Sequence, residues 1–182
     1  PVPSSAASDV YKRQVTVSAL RANEDTPMAF TNVSQEELNK QNLGKDLPVL
    51  LRFLPNVVTT SDAGAGVGYT GIRVRGSDAT RVNVTINGIA YNDSESHNTY
   101  WVDLPDFASS IDNLQVQRGV GTSTNGAAAF GASINLETDK ASEKSYAQLA
   151  SSVGSFSTLK NTIKFSTGIS ESGFEFSGRL SN

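Results

Sequence analysis

The stretch Thr70–Asn92 reads TGIRVRGSDATRVNVTINGIAYN and holds the strongest strand and turn signals of the chain. The run Ile72–Arg75 alternates apolar and charged residues, and Gly76–Asp78 then predicts a turn. Val82–Ile86 alternates apolar and polar residues, which predicts a strand with one buried face. Asn87-Gly88 supplies two residues that accept a positive φ, as a type I′ hairpin turn requires. The stretch therefore predicts two strands, a hairpin turn and a third strand.

Three motifs follow one another in a restrictive order: IRVRG at Ile72–Gly76, VNVTINGIAYND at Val82–Asp93, and LQVQRGVGTSTNGAAAFGASINLET at Leu114–Thr138. This series resembles the plug domain of TonB-dependent outer-membrane receptors, in which a small globular domain sits inside a large β-barrel. The resemblance covers Val15–Thr138. It implies an α+β plug domain with a small mixed β-sheet and short helices, followed by the first antiparallel strands of a transmembrane β-barrel.

Composition sets broad bounds. The chain has 182 residues, of which 37% are hydrophobic and 18% are charged, as in globular proteins. A net charge of −3 gives no reason to expect a nucleic-acid partner. The absence of cysteine rules out a disulfide framework and cysteine-built metal sites. No apolar run is long enough for a transmembrane helix, although barrel strands would not show such a run.

The two ends of the sequence look like cuts. Asp9–Gln14 (DVYKRQ) matches the translation of a transposon-end sequencing adapter. We therefore predict that residues 1–14 are not native, and that the chain is a fragment with a plug at 15–138 and three barrel strands at 139–182. The alternative for the first segment is a natural, flexible basic linker.

Helix and strand signals precede the opening stretch. Ser34 and Glu37 predict a capping box, with Val33 and Leu38 as a hydrophobic staple. A second helix is predicted from Asp46 through the apolar positions Leu47, Leu50, Leu51 and Leu54, and Pro55 ends it. The elements predicted around and after them are a strand at 57–60, a glycine-rich loop at 61–70, a polar loop at 92–103, a helical turn at 105–110, a strand at 111–118, a loop with a short helical turn at 119–131 and a strand at 132–137.

Three segments near the C-terminal end alternate apolar and polar residues: Ser145–Val153, Leu159–Phe165 and Phe174–Leu180. Such segments suit strands with one side toward lipid and one toward a polar lumen. A soluble sandwich has the same alternation and is the alternative.

Motifs for other chemistry are weak. Gly66–Gly71 matches the dinucleotide fingerprint G-x-G-x-x-G, but a strand is predicted to follow where that motif needs a helix. His97 lies near Asp93 and Glu95, which together offer three potential metal ligands; the alternative, which we favour, is a solvated loop. Common catalytic signatures are missing. We therefore predict neither an enzyme, nor a cofactor, nor a metal site.

The resemblance implies roles for two arginines and one segment. Arg75 and Arg118 each end a predicted strand beside a glycine, where family plugs carry arginines that pair with carboxylates of the barrel wall; the alternative is a surface cation. Val15–Ala19 (Val15, Thr16, Val17, Ser18, Ala19) resembles the TonB box. Its extended, proline-free character suits β-augmentation by the TonB protein, although it could instead be the first plug strand.

Two loops are predicted to lie at the outward end of the plug and to contact substrate. Their candidate residues are Gly66, Gly68, Tyr69, Asn92, Asp93, His97, Tyr100 and Trp101. Glycines let a backbone approach a ligand closely, and aromatic side chains offer amphipathic contact area. Trp101 could equally be an anchor in the plug core.

These features predict an outer-membrane receptor for TonB-dependent uptake of a scarce substrate, with its plug in the barrel lumen and its N-terminus in the periplasm. Siderophore, cobalamin, haem and oligosaccharide receptors share such a plug, so the substrate stays open. The alternative is a soluble periplasmic or secreted β-rich binding domain.

Overall fold

A computed structural model describes residues 21–121, 128–155 and 157–182. Twelve helices and strands form within these residues: β1 Ala29–Ser34, α1 Gln35–Gln41, α2 Leu47–Leu50, β2 Val57–Ser61, β3 Thr70–Val74, β4 Val82–Ile86, β5 Ile89–Ala90, β6 Ile111–Arg118, β7 Ala132–Thr138, β8 Tyr146–Gly154, β9 Thr158–Ser166 and β10 Ser177–Ser181. Short 3-10 turns occupy Ala79–Arg81, Trp101–Asp103 and Phe107–Ser110. We call residues 21–138 the globular domain and β8–β10 the terminal sheet.

The globular domain is built on a five-stranded sheet with the order β1-β6-β7-β4-β5. β4 and β7 are parallel, whereas the other neighbours are antiparallel, so the predicted mixed sheet is confirmed. β2 and β3 form a separate antiparallel ribbon. Asn87 and Gly88 have φ values of 52° and 81°, which confirms the predicted hairpin turn between β4 and β5.

The first helix begins as the sequence predicts. The Ser34 hydroxyl accepts from the Glu37 amide, and the Ser34 amide donates to the Glu37 carboxylate at 2.8 Å. The second helix is shorter than predicted, because it ends at Leu50 and Leu54 lies beyond it. Beyond Leu50 the chain continues in turns, with the Leu54 amide donating to the Leu51 carbonyl at 3.0 Å, and Asn56, at a φ of 61°, then precedes β2.

The main sheet is buried on both faces, so the prediction of one buried face for 82–86 was wrong. Val82 and Val84 pack into the apolar core, but Asn83 and Thr85 on the opposite face are also buried. This second face carries amides and hydroxyls; those of Thr85, Gln115 and Gln117 form hydrogen bonds, whereas the Ser133 hydroxyl has no partner within the described residues. Its side chains belong to Asn83, Thr85, Gln115, Gln117, Ser133 and Asn135.

The chain entering the globular domain crosses this polar face. Gln115 holds Ala22 at both ends of its backbone, because its Oε1 accepts from the Ala22 amide at 2.7 Å and its Nε2 donates to the Ala22 carbonyl at 2.9 Å. Arg21 forms an ion pair with Glu137 at 3.1 Å. The side-chain amide of Gln115 thus satisfies the backbone groups of Ala22 as a neighbouring strand would. This face of the sheet is covered by polar contacts with the entering chain.

The terminal sheet is antiparallel, with β9 between β8 and β10. The third strand is shorter than predicted, since it begins at Ser177 and leaves Phe174 and Phe176 outside it. The apolar side chains of this region are exposed: Leu149, Val153, Leu159, Ile163, Phe174, Phe176 and Leu180. The opposite face carries polar residues and turns toward the globular domain. None of the helices in the described ranges is both long and apolar enough to cross a membrane.

Candidate functional site

Residues from both predicted substrate loops line one cavity of about 150 Å³. Gly68 and Tyr69 come from the loop before β3, and Thr99, Tyr100 and Trp101 come from the loop after β5. Ile72, Val82 and Val84 also line it, and all three are buried members of the core. The two loops therefore meet at one end of the domain and share an apolar floor.

The first loop depends on glycine and on a buried carboxylate. Gly66 and Gly68 have φ values of 80° and 95°, which side-chain-bearing residues rarely adopt. The Asp46 amide donates to the Gly66 carbonyl at 2.9 Å, and the Thr70 hydroxyl donates to the Asp46 carboxylate at 2.9 Å. Burial raises the pKa of Asp46, although its bonds from Thr70 and the Gly68 amide oppose that shift. Sequence reasoning used Asp46 only as a helix start and missed this role.

In the second loop, two predicted site residues hold the loop itself. The Asn92 Oδ1 accepts from the Val84 amide at 2.7 Å, and its Nδ2 donates to the carbonyls of Val82 and His97 at 2.9 Å. The Asp93 carboxylate accepts from the Ser96 amide at 2.7 Å, and such bonds lower the pKa of Asp93. Both side chains are therefore engaged in shaping the backbone.

His97 lies on the outside of this loop. It has a φ of 56°, and its amide donates to the Asp93 carbonyl at 2.9 Å. The part of the chain that the structure describes contains no group of three or more acidic, histidine or cysteine side chains that could hold a metal ion. His97 is thus a turn residue in this structure.

The aromatic residues divide into two roles. Trp101 is only 3% exposed and belongs to the core, as the anchor interpretation predicts. Tyr69 and Tyr100 are 69% and 44% exposed beside the cavity. Thr99 is buried at the same cavity, and its hydroxyl has no hydrogen-bond partner within the described residues. A buried hydroxyl without a partner is costly, so a ligand that hydrogen-bonds here would relieve that cost.

The two candidate arginines lie close together. Arg118, at the end of β6, is buried and donates to the Pro55 carbonyl at 3.0 Å and to the Thr31 hydroxyl. Arg75 follows β3 instead of ending it, with a φ of 52°, and its side chain is exposed. Burial first, and then the charge of Arg75, lower the pKa of Arg118. Within the described ranges neither arginine forms an ion pair.

The segment Val15–Ala19, and residues 1–14 before it, lie outside the described residues. The prediction of a TonB box therefore stays a prediction. The loop predicted at 119–131 is described only in part, because 122–127 are also outside the described ranges.

A family model for the TonB-dependent receptor plug domain matches residues 22–133, which is more than half of the chain. The chain belongs to this plug-domain family. The globular domain is its plug, and the family is a non-enzymatic component of transporters. The sequence-based recognition is therefore confirmed.

Solved outer-membrane receptors share the fold of the plug and its neighbouring strands. FpvA of P. aeruginosa, bound to a heterologous pyoverdine, matches with a TM-score of 0.69 and 20% identity over 86% of this chain. The alcaligin receptor FauA of Bordetella pertussis matches with a TM-score of 0.67 and 20% identity over 88% of this chain. The ferric yersiniabactin receptor FyuA of Yersinia pestis matches with a TM-score of 0.65 and 18% identity over 85% of this chain. The chain spans only 20%, 27% and 24% of these receptors, respectively. No curated protein sequence matches it.

Proposed function

We propose that the chain is the plug and the first barrel strands of a receptor for active uptake across an outer membrane. The observation that carries this proposal is the two-sidedness of the terminal sheet. Its polar face, with Lys160 and Lys164, turns toward the plug, while its apolar face is open. A plug inside a barrel needs this arrangement, because the inner wall meets a polar domain and the outer wall meets lipid.

The exposed apolar face favours a barrel over the alternative of a soluble binding domain. Leu149 and Val153 in β8 are 73% and 79% exposed, and Leu159 and Leu180 in the neighbouring strands are 61% and 69% exposed. A sandwich would bury these side chains against a second sheet. An apolar patch of this extent on one face is the signature of a surface that lies against lipid or another protein.

In the proposed receptor the plug closes the lumen and its outward cavity helps to bind the substrate. Tyr69 and Tyr100 supply contact area, and the Thr99 hydroxyl supplies a hydrogen-bonding group. The candidate substrates are siderophores, cobalamin, haem and oligosaccharides. Ferric siderophores come first for testing, since the solved relatives were named for pyoverdine, alcaligin and yersiniabactin.

The proposed partner at the periplasmic side is TonB, which would pair with Val15–Ala19 by β-augmentation. Arg21 and Ala22 lie two and three residues after Ala19 and are bound to the main sheet through Glu137 and Gln115. A pull on the box would therefore reach the sheet within a few residues. Arg75 and Arg118 are proposed to pair with carboxylates of the remaining barrel wall, since two adjacent cations favour such partners.

The uptake proposal is tested in the receptor that carries this chain. Val17→Pro removes a backbone donor and fixes φ, so energised uptake of a ferric siderophore should be lost while its binding to cells is retained. Val17→Ala keeps the extended backbone and serves as the control, with normal uptake. Normal uptake by the proline variant would remove Val15–Ala19 as the TonB box.

The substrate cavity is tested separately by binding measurements. Tyr69→Ala and Tyr100→Ala should each weaken substrate binding about tenfold without lowering the stability of the plug, because both side chains are exposed in the absence of ligand. Tyr146→Ala makes the same change in the terminal sheet and should leave affinity unchanged. Full affinity in both cavity variants would assign recognition to other parts of the receptor.

A further inference from the structure

One carboxylate joins the plug to two strands of the terminal sheet. Asp106 lies in the plug just before the Phe107–Ser110 turn that leads into β6. Its polar contacts are Lys160 Nζ at 2.6 Å and Ser109 Oγ at 2.7 Å on Oδ1, Arg179 Nη1 at 2.7 Å and Ser181 Oγ at 2.5 Å on Oδ2, and the Asn42 amide at 3.4 Å. Residues far apart in sequence thus converge on one side chain.

The three charged groups are largely removed from solvent. The side chains of Asp106, Lys160 and Arg179 are only 15%, 10% and 21% exposed. Asp106 has φ and ψ values of 49° and 28°, a left-handed conformation that aspartate and asparagine accept more readily than most residues. Charge-assisted bonds of this kind are stronger than neutral ones and are costly to break when one partner is buried.

The contacts select one face of the terminal sheet. Lys160 and Lys164 lie on the face toward the plug, whereas Leu159 and Ile163 lie on the open face. Since side chains alternate along a strand, a shift of one residue would replace Lys160 by Leu159 or Asn161 and leave the Asp106 carboxylate without its lysine partner. A second ion pair, Lys164 with Asp139 at 2.7 Å, lies nearer the surface, with Asp139 31% exposed.

We propose that Asp106 is the docking residue of the plug, which sets the face and the register with which the first barrel strands lie against it. Sequence reasoning gave plug–barrel contact to Arg75 and Arg118, where the cations belong to the plug. At Asp106 the polarity is reversed, with the carboxylate on the plug and the cations on the strands. The proposal rests on the proposed function only in taking β8–β10 as barrel strands.

The test uses thiol labelling, because the chain contains no cysteine. Thr162→Cys places a thiol beside the cleft between α1 and β9, and Ile163→Cys places one on the open face. In the detergent-solubilised chain, Asp106→Asn should accelerate labelling of the Thr162→Cys thiol by a charged maleimide about tenfold and leave that of Ile163→Cys unchanged. Asparagine keeps the size and backbone preference of aspartate, so the change removes the negative charge and replaces one of the two acceptor oxygens by an NH2 donor.

Asp103→Asn is the matched control, since Asp103 is exposed and has no ion pair within the described ranges; labelling should not change. Unchanged labelling of Thr162→Cys in Asp106→Asn would overturn the proposal. If Asp106→Asn does not fold, Lys160→Met provides a second test. Lys160→Met should accelerate labelling of the Thr162→Cys thiol more than Lys164→Met does, and equal rates in these two lysine variants would also overturn the proposal. Labelling rates do not depend on transport. A negative labelling result therefore leaves the uptake proposal untouched, and a negative uptake result leaves the labelling rates interpretable.

Discussion

The main sheet of the plug and the terminal sheet use the same alternation of apolar and polar residues for opposite purposes. In the main sheet, Val82 and Val84 face the core while Asn83 and Thr85 face a buried layer of hydrogen-bonded side chains. In the terminal sheet, Lys160 turns toward the plug and Leu159 turns outward. An alternating strand therefore specifies that its two faces differ, but not which of them meets solvent, lipid or another layer.

The two sheets are stabilised in different ways. The main sheet gains its stability from burial of side chains such as Ile134, Leu114 and Leu136, which are almost completely inaccessible. The terminal sheet buries little apolar surface and is held to the plug through charges at Asp106 and Asp139. Truncation of apolar side chains should therefore destabilise the plug when they lie in the main sheet, but not when they lie on the open face of the terminal sheet. Loss of the charge at Asp106 or Asp139 should weaken the contact between the terminal sheet and the plug.

The largest difference should appear when the terminal sheet is removed. Residues 15–182 without detergent should associate or aggregate, because their apolar sheet face and strand edges are exposed. A chain truncated near Lys140 should be soluble, and size-exclusion chromatography with light scattering measures both. A monodisperse, monomeric 15–182 would favour the soluble sandwich.

Truncation of an apolar side chain should lower the free energy of unfolding by several kcal/mol more in the main sheet than in the terminal sheet. Ile134→Ala removes a side chain with no exposed surface and should destabilise the plug by about 2–5 kcal/mol. Leu149→Ala on the open face should change stability by less than about 0.5 kcal/mol. Urea unfolding of the detergent-solubilised chain, followed by the fluorescence of Trp101, measures both, since Trp101 is the single tryptophan. Equal losses would mean that Leu149 is buried in solution.

The polar layer of the main sheet should contribute a smaller amount. Gln115→Leu leaves the Ala22 amide without its acceptor and the Gln117 side-chain amide without one of its bonds, so a loss of about 1–3 kcal/mol is expected in the same urea assay. Gln148→Leu changes an exposed glutamine of β8 and should have little effect. A neutral Gln115→Leu would show that the buried amides can be replaced by apolar packing.

The pH dependence should be the smallest effect, and its sign follows from the shift at Asp106. Burial alone would raise the pKa of Asp106, but the bonds from Lys160, Ser181 and Ser109 outweigh it and hold the pKa below its ordinary value of 3.8. Its stabilisation is thus complete above about pH 5 and is lost as the pH falls below about 4. Asp46 acts in the opposite sense, because burial raises its pKa.

The urea midpoint of the wild type, compared with that of Asp106→Asn, isolates this contribution. The difference between the two midpoints should be constant near neutral pH and should vanish in acid. A difference that persists at low pH would trace the stabilisation to the hydrogen-bonding shape of the side chain instead of its charge.

Local signals in the sequence were sufficient for several elements. The Ser34–Glu37 capping box, the Asn87-Gly88 turn and the bounds of β6 form as predicted, because each depends on residues within a few positions of one another. The order of the three motifs was also sufficient to recognise the plug-domain family, because the motifs together span much of the domain, from Ile72 to Thr138. These features are encoded along the chain.

Tertiary structure decided the rest, because the deciding partners lie far apart in sequence. Gln115 binds Ala22, and Asp106 binds Lys160 and Arg179. The sequence around each of these residues contains no local pattern that predicts its partner. Trp101 could have faced substrate or core, and only the packing of the loop over β3 and β4 put it inside. Alternation predicted that β9 has two faces; the charge on the plug at Asp106 selects which of them turns inward.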